Sequence, residues 1–265
     1  MLKRYIGDRA FYRRVMAVVL PIIIQNAITN FVSLLDNIMV GQVGTLQMSG
    51  VSIVNQLLFV FNLCIFGAAS GAGIFTAQFF GSKDTQGVRY TFRFKLISCL
   101  LLTVVGCGVF LLAGDFLIGL YLQGEGDPAD AAAALECGRR YLKVMLVGLL
   151  PFALSNAYSS TLRETGQTVV PMAAGVTAVF VNLFFNYILI FGKLGAPALG
   201  VEGAAWATVI SRFVELGVVV TYTHVFGEKH PFIRGAYHSL RIPGKLLGSI
   251  IRKGLPLLIN ECMWA

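Results

Sequence analysis

The chain has 265 residues, 56% of them apolar and only 13% charged, with Lys and Arg outnumbering Asp and Glu by 21 to 13, and its mean hydropathy is +0.75. Soluble domains carry about a quarter charged residues, so this composition excludes an ordinary soluble enzyme. Gly 29, Pro 8 and Cys 5 spread along the length exclude disordered, collagen-like and disulfide-framework classes, and the +8 charge is no nucleic-acid face, because basic residues alternate with apolar runs.

A helix needs about 20 apolar residues to cross a hydrocarbon layer about 30 Å thick. In chain order, residues 15–35, 51–80, 96–114, 144–162 and 165–192 meet that length without an internal charge. A sixth run, 203–226, contains Arg212 and Glu215, which lie three residues apart, share a helix face and are expected to form an internal ion pair. The expected organisation is a basic N-terminus over 1–14, a six-helix bundle over 15–226, a linker over 227–249 and the start of a seventh helix over 250–265. That last run is too short to cross. It also echoes the first helix, since Leu255-Pro256 followed by an apolar triplet and Asn260 matches Leu20-Pro21 followed by an apolar triplet and Gln25. The expectation is therefore an all-α polytopic membrane protein of six spans and a partial seventh, a truncated chain whose second half would repeat the first; a re-entrant segment is the alternative.

Lys and Arg in short loops set orientation. With the N-terminus in the cytoplasm, sixteen basic residues fall on the inner side and four (Arg139, Arg140, Lys143 and Lys193) on the outer. A secretory leader is discounted, because the first apolar run is 21 residues long and no small-residue cleavage site follows it. The spread cysteines form no pairing pattern, and His224, His230 and His238, at spacings of six and eight, fit no helical metal site and are expected to be hydrated. No Walker loop is present, and no cofactor beyond a coupling ion is expected.

Polar groups within apolar helices are costly unless they face a partner or a wet cavity. Counting about 1.5 Å per residue from the inner face, Asp36 lies roughly 30 Å up the first helix, Asn182 and Asn186 roughly 20 and 26 Å up the fifth, and Thr208 about 20 Å up the sixth. Asn182 and Asn186 are four apart and share a face. This set suits a proton on the carboxylate or a hard cation such as sodium, whereas bundle hydrogen bonding is the structural alternative. Glu261 is a second intramembrane carboxylate, and Gln25, Asn26, Asn55, Gln56 and Tyr158 are candidate cavity-lining residues.

Ordered strings narrow the reading. Leu20-Pro21, then Asp36-Asn37-Ile38-Met39-Val40-Gly41-Gln42-Val43-Gly44, resembles the end of the first helix in multidrug and toxic compound extrusion (MATE) transporters. Gly81 before a basic turn, the run from Asn182 to Gly192 and the run from Gly200 to Arg212 agree, so that the resemblance extends from about Phe11 to the last residue. It implies a two-lobed, twelve-helix antiporter of the plasma membrane, exporting small organic, often cationic compounds in exchange for protons or sodium. This chain would be its N-lobe plus the start of the C-lobe, with the missing C-lobe and the lipid bilayer as partners. The resemblance also assigns ion coupling to Asp36, supported by Asn182, Asn186 and Thr208, and by analogy makes Glu261 a second working carboxylate. One departure bears on the ion: family members with the best-defined N-lobe cation site carry Asp where this chain has Asn186, which weakens the case for sodium. The competing readings are a lipid-linked saccharide or peptidoglycan-precursor flippase of the same superfamily, a non-transporting half-transporter fragment, and an intramembrane enzyme, for which no nucleophile cluster is present.

Overall fold

The structure is a computed structural model describing residues 8–123 and 127–263, and every element among them is an α-helix. α1 (Arg9–Gly41) starts where the Asp8 carboxylate accepts from the Phe11 N–H at 2.7 Å, satisfying one of the orphan donors of the first turn. α2 (Thr45–Gly81) and α3 (Thr85–Tyr121) each run 37 residues, about 55 Å at 1.5 Å per residue, so both project beyond a bilayer. Asp84 caps α3 by accepting from Gly87 N at 2.9 Å.

The run expected as one span over 144–162 is two helices, α4 (Pro128–Val147) and α5 (Leu149–Glu164), bent by 47°. Pro151 explains the break, since it has no N–H for the Val147 carbonyl and its ring clashes with that carbonyl. α6 (Val169–Phe191) ends at Gly192, whose φ is 66° and where a Cβ would lie 2.8 Å from the Ala198 nitrogen, leaving no room for a side chain. α7 (Val201–Val225) returns along it. Five helices, α1, α2, α3, α6 and α7, are long and apolar enough to cross a membrane, and the α4–α5 pair makes a sixth. α8 (Gly244–Met263) begins at Gly244 rather than at residue 250 and crosses α2 so closely that a Cβ on Gly71 would lie 2.5 Å from the Gly254 Cα.

The core joins α2, α4, α5 and α7 through residues such as Val54, Ile65, Leu149, Ala153 and Ala205. The outward face of α3 is apolar and unburied, with Leu112 92% exposed, as a lipid-facing surface requires. A second cluster, around Phe92, Leu162 and Val219, closes the linker end and includes Phe232, Ile233 and Ala236 of the linker itself. Arg93 donates to the carbonyls of Ala236 at 2.7 Å, Gly235 at 2.7 Å and Arg241 at 3.2 Å, and Arg89 donates to that of Phe232 at 3.3 Å. The linker is thus strapped to the bundle.

Several basic groups expected in loops are inside this end of the bundle. Lys95 is fully buried, ion-paired with Glu164 and donating to Ser160 Oγ at 3.1 Å and Thr161 Oγ1 at 3.3 Å. His230, expected to be hydrated, is 2% exposed against Tyr222 and Phe232, and burial, followed by Lys229, pushes its pKa below the ordinary 6.5. His224 stacks on Tyr237, their ring centroids 6.0 Å apart.

Candidate functional site

Toward the end opposite the linker, α1, α6 and α7 bring the polar set together. Asn186 Nδ2 donates to Asp36 Oδ1 at 2.5 Å and to Asn182 Oδ1 at 3.1 Å. Asn182 Nδ2 donates to Thr208 Oγ1 at 3.2 Å, and that hydroxyl donates to the Ala204 carbonyl at 3.0 Å. Both amides are buried, at 6% and 1% exposure, whereas Asp36 is half-buried. The four-residue spacing on α6 stacks the two amides, and Thr208 faces them because α7 packs directly on α6.

The Asn182 amide fits in two orientations. In the reverse one its nitrogen donates to the Asp36 oxygens at 2.9 and 3.0 Å and its carbonyl accepts from the Thr208 hydroxyl at 3.2 Å, while the Asn186 Nδ2 at 3.1 Å then faces a second donor. An ionised carboxylate requires this second arrangement, because in the first the Asn182 carbonyl faces it with another acceptor. A protonated Asp36 suits the first, since its O–H can donate to that carbonyl. An ionised Asp36 therefore favours the reverse orientation of the Asn182 amide.

Asp36 borders two cavities. One, of about 590 Å³, extends toward the linker end past Asn62, Asn156 and Ser159 to Glu215 and Arg163, with Gln25 and Asn26 of α1 on its wall. The other, of about 480 Å³, is lined by Asn55, Gln56, Tyr141 and Arg212, and Tyr141 donates to Asn55 Oδ1 at 3.2 Å. Tyr158 lines neither; it is buried against Phe92 with its hydroxyl bonded to that of Tyr237, in the cluster that anchors the linker. The Glu261 side chain lies outside the described residues.

The ion pair expected between Arg212 and Glu215 does not form. Among the described residues no salt bridge joins them; Arg212 Nη1 donates to the Gly148 carbonyl at 3.2 Å, and the guanidinium lies 4.9 Å from the Phe152 ring centroid. The Gly148 carbonyl, which also accepts from the Phe152 N–H at 3.2 Å, and an aromatic face hold that head instead. Arg163 on the cavity wall and the Lys95–Glu164 pair went unread in the sequence; the seven-residue spacing of Asn55 and Asn62 on α2 was a usable signal for the polar wall.

The fold and site together define a polytopic membrane bundle enclosing polar cavities around a half-buried carboxylate. The MatE family model matches residues 21–188, and the chain belongs to this family of multidrug efflux transporters. A "Probable multidrug resistance protein NorM" of Thermotoga maritima is 29% identical over 255 residues, covering 96% of this chain and 52% of its own length. A protein of the same description from Streptococcus pneumoniae is 30% identical over 200 residues, covering 76% of this chain and 43% of its own. The chain spans about half the length of the curated relatives it matches. The fold matches an outward-facing MATE transporter of the MOP superfamily with a TM-score of 0.80 at 23% identity, over 94% of this chain and 52% of that one. An inward-facing MATE structure matches with a TM-score of 0.76 at 23% identity, over 94% of this chain and 54% of that one.

Proposed function

We propose that this chain is the N-lobe and the start of the second lobe of a plasma-membrane secondary antiporter, its N-terminus cytoplasmic, that exports small organic compounds in exchange for a coupling ion. The observation that carries the reading is the Asp36 cluster, in which a half-buried carboxylate accepts from Asn186 and adjoins the Asn182 amide, itself bonded to Thr208. Protonation turns the Asn182 carbonyl toward Asp36, and deprotonation brings its N–H groups to the carboxylate and recruits the Thr208 hydroxyl from Ala204. Contacts among α1, α6 and α7 therefore differ between the two states, which is what a ligand needs in order to shift a conformational equilibrium.

A proton is the favoured ion. Asp36 is the only carboxylate among the four clustered side chains, and a lone carboxylate with neutral amides gives a sodium ion little charge. A charge crossing 100 mV supplies about 2.3 kcal/mol and one pH unit about 1.4 kcal/mol, together enough for several hundredfold accumulation per proton. The flippase reading would need a basic cavity, whereas here Arg163 and Arg212 border cavities that also hold Asp36 and Glu215. In vesicles bearing the complete transporter, Asp36→Asn is expected to abolish efflux of ethidium driven by a pH gradient while insertion is retained. Undiminished pH-driven efflux in that variant would overturn the assignment.

A further inference from the structure

Asp36 is not the only carboxylate of the larger cavity. Glu215 lies seven residues beyond Thr208 on α7, two turns along the same face, so it stands about 10 Å nearer the linker end. It lines the same cavity of about 590 Å³, and among the described residues Asp36 and Glu215 are the only two acids there. At about 30 Å³ per water, this volume can hold a hydrogen-bonded chain of solvent between them. The wall between them is polar: Asn62 Oδ1 and Ser159 Oγ are buried without a partner among the described residues, as groups that serve water are.

The groups facing Glu215 come from three helices. Arg212 stands on α7 itself, Arg163 on α5 across the cavity and Asp36 on α1 at its far end, while Tyr141 of α4 faces Arg212 from the neighbouring cavity. Neither arginine forms a salt bridge with Glu215 within 4.0 Å among the described residues, and the Arg212 head is held by the Gly148 carbonyl and the Phe152 ring. Glu215 is thus a carboxylate without a salt bridge among the described residues, met by the Ser155 hydroxyl of α5, on the wall of a polar cavity it shares with Arg163 and Arg212.

We propose that Glu215 is a second proton-binding carboxylate of this cavity, a relay between Asp36 and the linker end. The proposal rests on the proton-coupled reading of Asp36. In this step the proton leaves the Asp36 carboxylic acid along the solvent chain and arrives on the Glu215 carboxylate, so Asp36 regains its charge as Glu215 loses its own. Release toward the linker end past Arg163 restores Glu215. A cationic compound in the cavity competes with both protons, which links compound binding to two titrations.

The test is the pH dependence of ethidium binding to the purified complete transporter, followed by fluorescence anisotropy. The wild type is expected to show two titration steps, Glu215→Gln one, and Glu215→Asp, which keeps a carboxylate, both. In vesicles, Glu215→Gln is expected to lower pH-driven ethidium efflux by roughly tenfold, the equivalent of one pH unit of coupling. Two undisturbed steps in Glu215→Gln, or a single step in the wild type, would overturn the relay. Asp36→Asn separates the two claims: if it leaves both steps in place, the Asp36 assignment is what fails.

Discussion

The two ends of the bundle treat buried polar groups in opposite ways. At the linker end, Lys95 is satisfied by Glu164, Ser160 and Thr161 together, and Arg93 by three linker carbonyls. The three ammonium N–H donors of Lys95 each have a partner, and each of the three Arg93 nitrogens reaches a carbonyl. At the Asp36 end, Asn186 Oδ1 has no partner among the described residues, and open cavities adjoin the half-buried carboxylate. On the proposed reading, one end holds a shape and the other changes with a proton. Disturbing the first should therefore cost stability, and disturbing the second should cost transport.

The largest stability effect is expected from Lys95→Met, which strands the Glu164 carboxylate and should destabilise the protein by about 3–5 kcal/mol. Thermal unfolding in detergent checks this, and the double variant Lys95→Met with Glu164→Gln should regain much of the loss. Arg93→Ala removes three hydrogen bonds to the linker, each donated by a charged group and worth about 1.5–3 kcal/mol in the general case. Because all three bonds go to the linker, the expected outcome is local: hydrogen exchange across residues 231–241 should accelerate while the α6 amides keep their protection.

At the other end, Asn182→Leu should change stability by only about 0.6 kcal/mol, the average for interhelical polar contacts in membranes. The same substitution removes both amide orientations, so pH-driven efflux should still fall by roughly tenfold, about 1.4 kcal/mol of coupling. The smallest effect concerns His230. Its folded pKa lies below the unfolded 6.5, so the unfolded segment takes up a proton first as the pH drops. The strap should be firmest above pH 6.5 and loosen as the pH falls through that value toward the lowered one. Exchange rates across residues 230–237 measured over that window report it, and His230→Gln should flatten the dependence.

This contrast also separates what was readable in the sequence from what was not. Helical period and depth counting place Asp36, Asn182, Asn186 and Thr208 together, because each helix crosses the bilayer once and depth along it is nearly a coordinate. The number of spans was readable for the same reason. Partner choice was not. Arg212 and Glu215 share a face, yet Arg212 turns to the Gly148 carbonyl at the α4–α5 junction and to the Phe152 ring. Lys95 reads as a loop cation until α3 extends to Thr85 and sets it beside Glu164 of α5. Tyr158 reads as a cavity residue until the linker folds back and offers Tyr237. In each case the deciding neighbour is remote in sequence and polar, and hydropathy does not report such pairings.

Infrared difference spectroscopy of the complete transporter, reading the carboxylic-acid carbonyl band as the pH is lowered, tests the central claim most directly. The account predicts that Asp36→Asn removes a component of that band, together with the accompanying changes in side-chain amide absorption, and that Arg93→Ala leaves both intact. Identical difference spectra for the wild type and Asp36→Asn would contradict it.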